Sequence, residues 1–287
     1  MPDWSPNQDE WRAAGGNVPE RPVPQAVGGG DVSAAWRIDD LFVKTGPRTA
    51  HDMFAAEADG LAELGRPDAI RVPNTIACGV TGDTAYLATE WLDLERSTAT
   101  VETRLGEQLA ALHRVTSDRH GWHRNNTIGP TPQYNPWSDN WVEFFREHRL
   151  GFQLQLAADN GYGGKLQDEG SRLLECLDRF FDGYEPEASL LHGDLWGGNW
   201  GSCDGAPVIF DPAVYYGDRE TDLAMTRLFG GFGRAFYEAY EASAPLAPGH
   251  QARCDLYQLY HVLNHLNLFG SAYLGQANTL IGRLLSN

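Results

Sequence analysis

Two stretches of the chain, LLHGDLWGGNW from Leu190 to Trp200 and VIFDPA from Val208 to Ala213, hold the residue types best suited to chemistry. Asp194 is a carboxylate able to accept the proton of an attacking hydroxyl. Asn199 and Asp211 offer one neutral and one charged oxygen, a donor set that suits a hard Mg²⁺ which keeps several waters and shares phosphate oxygens. Phosphoryl transfer needs such a set, because it demands positioning and charge neutralisation more than covalent chemistry. Gly193, Gly197 and Gly198 lack a Cβ and let the loop backbone approach the reacting groups. His192 reads as a core histidine bracing the loop rather than as a proton carrier.

The spacing sharpens this reading. His192, Asp194 and Asn199 repeat the separations of the H-R-D-x-x-x-x-N loop of kinases, and Asp211 then stands where the metal-binding Asp of D-F-G would stand. The bland alternative is turn chemistry between strands, since Gly, Asp and Asn are common turn residues. Three residues at two kinase-like separations are much harder to obtain by accident than one Gly-rich string.

Elements that must carry these residues follow from periodicity. The run VIF predicts a short buried strand that delivers Asp211 at its end. Residues 1–27 are rich in Pro, Gly and polar side chains and read as irregular. A hairpin is predicted over 32–45, turning at Asp39 and Asp40, then a helix over 52–64 with Met53, Phe54, Ala58 and Leu61 as its apolar stripe. Strands over 72–80 and 84–91 complete a small β-rich lobe. Val101, Leu105, Leu109 and Leu112 mark a helix reaching about 115, so a lobe boundary falls near 92–100. Further helices are expected over 138–159, 166–182, 219–242 and 252–275. The fold class is therefore α+β and bilobal, with residues 1–95 as a nucleotide-binding lobe, a hinge at 90–95, and residues 96–287 as a mostly helical second lobe.

In the small lobe Lys44 lies mid-strand in LFVKT, where a kinase places the lysine that holds ATP phosphates, and Glu57 is its natural helix partner. The separation is shorter than in protein kinases, and the alternative is an exposed edge lysine with a solvated helix glutamate. Gly29 and Gly30, in the Gly28-Gly29-Gly30-Asp31 loop, are candidates for backbone contact with phosphate, although the loop fits neither G-x-G-x-x-G nor a Walker motif. Glu90 and Leu92 occupy the inter-lobe connection, where backbone groups could meet the adenine edge.

Composition bounds the partners. With 22 basic against 39 acidic residues the formal charge is −17. That argues against nucleic acid or an anionic membrane surface as principal partner and favours a cationic substrate, although solubility explains such acidity equally well. Cys78, Cys176, Cys203 and Cys254 show neither a CxxC pair nor metal-ligand spacing, which fits a reducing cytoplasm. The start MPDWSPNQDEW lacks the profile of a signal peptide, and no apolar run approaches the roughly 18 residues of a membrane span. The expected location is cytoplasmic.

From about Gly28 to Ala277 the chain resembles the fructosamine kinase, or ketosamine 3-kinase, family. Beside LLHGDLWGGNW and FDPAVYYGDRETDLAM, the resemblance rests on LFVKT, MFAAEADGL, LGEQLAALHRVT, GWHRNNTIGPTPQ, DNWVEFFREHRL and LYQLYHVLNHLNLFG. It implies a protein-kinase-like fold shared with aminoglycoside phosphotransferases. It also implies ATP- and Mg²⁺-dependent phosphorylation of the sugar 3-hydroxyl of ketosamines, and hence deglycation of a small-molecule glycated amine or of a glycated protein. By the resemblance Asp194 is the base, Asn199 and Asp211 are metal ligands, Lys44 and Glu57 hold the phosphates, and Asp222 braces the catalytic loop. Trp196 is the candidate substrate wall, since an indole face packs on sugar C–H groups and attracts an amine cation. His265 and Asn267 are further substrate candidates on a helix that could equally be plain core, and Trp122, His123 and Arg124 could line the same site or pack the lobe.

Two departures shape the expectations. GGGDVS lacks the cysteine through which some family members form redox-controlled dimers. D-P-A replaces D-F-G, and Pro212 fixes φ and removes a donor, which predicts a constitutively assembled site. Two competing function classes remain: a kinase of another amine-bearing sugar, aminoglycoside or choline-like substrate, and a catalytically silent nucleotide-binding protein.

Overall fold

The computed structural model describes residues 24–28 and 33–286. An antiparallel five-stranded sheet comes first: β1 (Gln25–Val27), β2 (Ala34–Ile38), β3 (Leu41–Pro47), β4 (Thr75–Thr81) and β5 (Thr84–Glu90), in the order β1-β2-β3-β5-β4. The β2–β3 hairpin turns at Asp39-Asp40, with Asp39 at φ +51°. Helix α1 (His51–Gly65) lies on one face of the sheet, packing Phe54 against Ala85 and Leu87. The opposite face gathers Ile38, Val43, Ala77, Tyr86 and Ala88. Alternation along β3 puts Val43 and Thr45 on that face and therefore turns Lys44 toward α1.

After the connection that follows Glu90, helix α2 (Ala99–Leu112) is capped by the Thr98 hydroxyl, which accepts from the Val101 amide. Trp141–Phe145, a π-helical turn at Arg146–Gly151 and Phe152–Asp159 form one continuous helix, α3. Then come α4 (Lys165–Glu175), α5 (Glu220–Leu228), α6 (Arg234–Ser243), α7 (His250–Phe269) and α8 (Leu274–Ser286) around one large apolar core. No helix among the described residues is long and apolar enough to cross a membrane.

Several helix expectations need correction. The single helix predicted over 219–242 is two helices, broken where Gly230 and Gly231 take φ of +75° and +92°. Apolar periodicity runs through the break, so the period alone hides it. The helix predicted over 166–182 ends at Glu175 and continues only as the 3₁₀ turn Leu177–Phe181. The helix predicted to reach 275 stops at Phe269, where Gly270 turns at φ +91°, and α8 follows unanticipated.

Small sheets not foreseen in the sequence frame the loop motifs. β6 (Thr116–Ser117), β9 (Ala188–Leu191) and β12 (Tyr215–Gly217) form one, in the order β12-β9-β6. β7 (Asn126–Ile128) pairs with β8 (Thr131–Gln133). β10 (Trp200–Cys203) pairs with β11 (Ala206–Ile209) across the two-residue turn Asp204-Gly205, both at positive φ. The motif from His192 to Asn199 therefore hangs between β9 and β10, and Asp211 follows β11 as the VIF run predicts.

Candidate active site

Strand β3 and helix α1 bring Lys44 and Glu57 together, with Nζ 2.8 Å from Glu57 Oε1. The same ammonium lies 2.7 Å from Asp211 Oδ1, so one cation bridges the sheet and the segment after β11. Burial opposes the charge on Lys44, but Glu57 and Asp211 outweigh it and hold its pKa above the ordinary lysine value. Burial pushes the Glu57 carboxyl up, and the Lys44 ammonium pulls it back.

Asp194 and Asn199 meet across the loop. Asn199 Nδ2 donates to the Asp194 carbonyl at 2.8 Å and more distantly to Asp194 Oδ2, at 3.3 Å. Its nitrogen is thus the committed end, leaving the amide oxygen as the end free to bind a cation. Burial, helped by the charges of Asp211 and Asp222, pushes the Asp194 carboxyl up to about 7.

The loop backbone is held from below. Asp222 accepts the amides of His192 and Gly193, each at 2.8 Å, and its Oδ2 lies 3.2 Å from His113 Nε2. Burial alone would raise the Asp222 carboxyl, yet these partners keep its pKa below the usual carboxylate value. His192 is fully buried, with Nε2 2.9 Å from the Phe210 carbonyl and Nδ1 3.3 Å from the Asp194 amide. That geometry requires a neutral ring with its proton on Nε2, and burial lowers the His192 pKa accordingly. Gly193, at φ +83°, passes so close to the Ala213 carbonyl that a Cβ would lie 2.0 Å from its oxygen.

The remaining candidates fall into two groups. Trp196 is 40% exposed, and its indole folds back over Gly198. The Gly230-Gly231 turn abuts Gly197, and the neighbouring Phe229 ring lies 4.7 Å from His265, which also touches Phe269 and Tyr273. His265 is thus brought to the loop's flank, its Nδ1 2.8 Å from the His261 carbonyl. Asn267 is spent on packing: its nitrogen donates to Gln153 and its oxygen accepts from Asn160. Trp122 is buried, His123 is exposed with its ring 4.5 Å from that of Trp122, and Arg124 pairs with Asp59 of α1, so Arg124 ties this segment to the small lobe.

At the inter-lobe connection, the Glu90 amide donates to the Asn74 carbonyl at 3.0 Å and its carbonyl accepts from the Thr89 hydroxyl at 3.3 Å, whereas the Leu92 backbone takes no partner among the described residues. Of the two candidate backbones, that of Leu92 is therefore the one left open. Gly29 and Gly30 lie outside the described residues. Unnoticed in the sequence were His113, which supports Asp222, and Gly60, where a Cβ would meet Val214 at 3.2 Å and Pro212 at 3.4 Å. Gly60 lets α1 pack directly on the segment that carries Asp211.

Comparison with known proteins agrees with this arrangement. A probable ketoamine kinase of Synechocystis sp. is 44% identical over 267 residues, covering 91% of this chain and 90% of that protein. A chloroplastic protein-ribulosamine 3-kinase of Oryza sativa subsp. indica is 40% identical over 281 residues, covering 95% and 81%. The crystal structure of a Haemophilus somnus 129PT protein described as a fructosamine-3-kinase superposes with a TM-score of 0.88 at 30% identity, covering 97% of this chain and 96% of that one. The sequence profile of the fructosamine kinase family matches residues 4–287, and this chain belongs to that family.

Proposed function

We propose that the protein transfers the γ-phosphoryl group of ATP to the sugar 3-hydroxyl of a ketosamine. The supporting observation is the convergence of Lys44, Glu57 and Asp211 from two lobes on the loop that carries Asp194 and Asn199. Lys44, aimed by Glu57, binds phosphate oxygens, and the Leu92 backbone in the 90–95 hinge meets the adenine edge. Asn199 and Asp211 fit Mg²⁺: one neutral and one charged oxygen from the protein leave room for phosphate oxygens and water. No cluster of three His, Cys, Asp or Glu side chains competes for a metal among the described residues. Bound there, the ion neutralises phosphate charge.

Asp194 takes the proton of the attacking hydroxyl as the new O–P bond forms and the bond to the β-phosphate oxygen breaks. A carboxyl held near neutrality by burial is well matched to that task. Trp196, half open beside Asp194, supplies the wall against which the sugar packs, with His265 and its aromatic neighbours flanking it.

The test is Mg²⁺-dependent ATP consumption on fructosyl-lysine and ribulosyl-lysine beside aminoglycosides and choline, with Asp194→Asn as the blank. We expect a 3-phosphorylated ketosamine from the wild type and a loss of about 10²–10⁴-fold in the variant, with nucleotide affinity retained. Turnover confined to another amine or sugar would overturn the substrate assignment and leave the phosphotransfer chemistry standing.

A further inference from the structure

The conformation of Asp211 needs an explanation that the loop motif does not give. Its φ of +57° puts a non-glycine residue in the left-handed region. Such strain persists only where the surroundings over-determine it. Pro212 fixes the next φ, but the grip itself lies in the three residues beyond. The Ala213 amide donates to the His192 carbonyl at 2.8 Å. The Ala213 carbonyl accepts from Gln133 Nε2 at 3.1 Å, and the Val214 carbonyl accepts from Asn126 Nδ2 at 2.8 Å. The Tyr215 ring lies 4.0 Å from the Arg149 guanidinium.

We propose that Gln133, Asn126, Asn135 and Arg149 form a buried positioning device that aims the Asp211 carboxylate at the metal. The inference rests on reading Asp211 as a metal ligand. All four side chains are at least nine-tenths buried, and Arg149 is completely so. Their bonds form a chain with one possible sense. Arg149 can only donate, so the oxygen of Asn135 must face its Nη2, at 2.6 Å. Asn135 Nδ2 then points at Asn126 Oδ1, at 2.9 Å, and Asn126 must turn its nitrogen to Val214. Asn126 Oδ1 also accepts from Gln133 Nε2 at 2.8 Å, which leaves Gln133 Oε1 to accept the Tyr260 hydroxyl at 2.9 Å.

Arg149 has no carboxylate within ion-pair distance among the described residues, and its other bonds go to the carbonyls of Tyr134 and His148. A buried cation without an anion is an expensive way to fill space, and an apolar side chain would pack there more cheaply. What the cation supplies is direction. It forbids either amide to flip and so keeps two donors aimed at the backbone just beyond Asp211. Gly60 of α1 packs closely on the same segment, against Val214 and Pro212.

The decisive measurement is Mn²⁺ binding to the complex with a non-hydrolysable ATP analogue, followed by electron paramagnetic resonance, with thermal unfolding recorded in parallel. Gln133→Met keeps the volume and removes all three bonds of this side chain. It should weaken Mn²⁺ binding about tenfold, the scale of one or two buried hydrogen bonds, with metal-free nucleotide affinity unchanged. Tyr260→Phe removes only the donor to Gln133, serves if Gln133→Met does not fold, and should weaken Mn²⁺ about threefold. Lower thermal stability with wild-type Mn²⁺ affinity in both variants would reduce the network to packing and overturn the proposal. Asp211→Asn separates the two levels. If it fails to weaken Mn²⁺, the metal-ligand reading falls and the proposal with it; if it alone weakens Mn²⁺, only the positioning role falls.

Discussion

The two halves of the site are built differently. On the sheet side, Lys44 is aimed by side-chain ion pairs to Glu57 and Asp211, and the Asp211 side chain is 42% exposed. On the loop side, Asp194 and Asn199 sit on a backbone fastened by fully buried acceptors, above all Asp222. The first arrangement can be remade when phosphates arrive, because Lys44 holds two carboxylates at once and the Asp211 end opens to solvent, so the ammonium can exchange one partner without losing both. The second cannot yield without exposing buried N–H groups. On the proposed function, this contrast assigns adaptability to the nucleotide side and rigidity to the acceptor side, where in-line geometry is set.

The comparison breaks most readily at Asp222. Asp222→Ala leaves two backbone amides and His113 without their acceptor, and about 3–5 kcal/mol of stability should be lost in urea unfolding. A loss below about 1 kcal/mol would mean that the loop is not held as described. The sheet side should answer differently. Glu57→Gln should lower turnover about 10–100-fold through misdirected Lys44 while changing stability by less than about 1 kcal/mol, because Asp211 stays as the ammonium's partner and burial already works against the Glu57 charge. Equal effects on stability from both variants would erase the distinction.

The smallest effect sharpens it through pH. The Asp194 carboxyl is raised from 3.8 to about 7 in the folded chain, so the folded state holds that proton more tightly than the unfolded state. Stability of the ligand-free protein should therefore fall as pH rises from about 4 through 7, and Asp194→Asn should remove that part of the fall. At pH 8 the variant should be the more stable by about 1–3 kcal/mol, discounted because the carboxyl is partly exposed, and near pH 4 the two should coincide. Parallel unfolding curves at both pH values would show that Asp194 is not strained by its site.

Much of this arrangement is legible along the chain, for local reasons. Alternation in LFVKT turns Lys44 away from Val43, one-sided periodicity identifies α1, and the separations within HGDLWGGN place Asp194 and Asn199 on one loop. Less legible were the Gly230-Gly231 break and α8, where backbone conformation rather than hydrophobic period decides the boundary. Asn267 shows the limit for single side chains, since only its neighbours reveal that its amide is already satisfied.

The sequence by itself determined the candidate reacting groups and the bilobal α+β class, because residue identity and short-range spacing carry both. Tertiary structure alone decided what fixes those groups. The bond from Lys44 to Asp211 joins residues 167 apart, Asn126 reaches Val214 across 88, and Tyr260 reaches Gln133 across 127. The value of a buried hydrogen bond depends on which donor meets which acceptor away from water. No local pattern encodes that meeting: along the chain Arg149 is one residue of a predicted helix, and only folding buries it against Tyr215 with no carboxylate at ion-pair distance among the described residues.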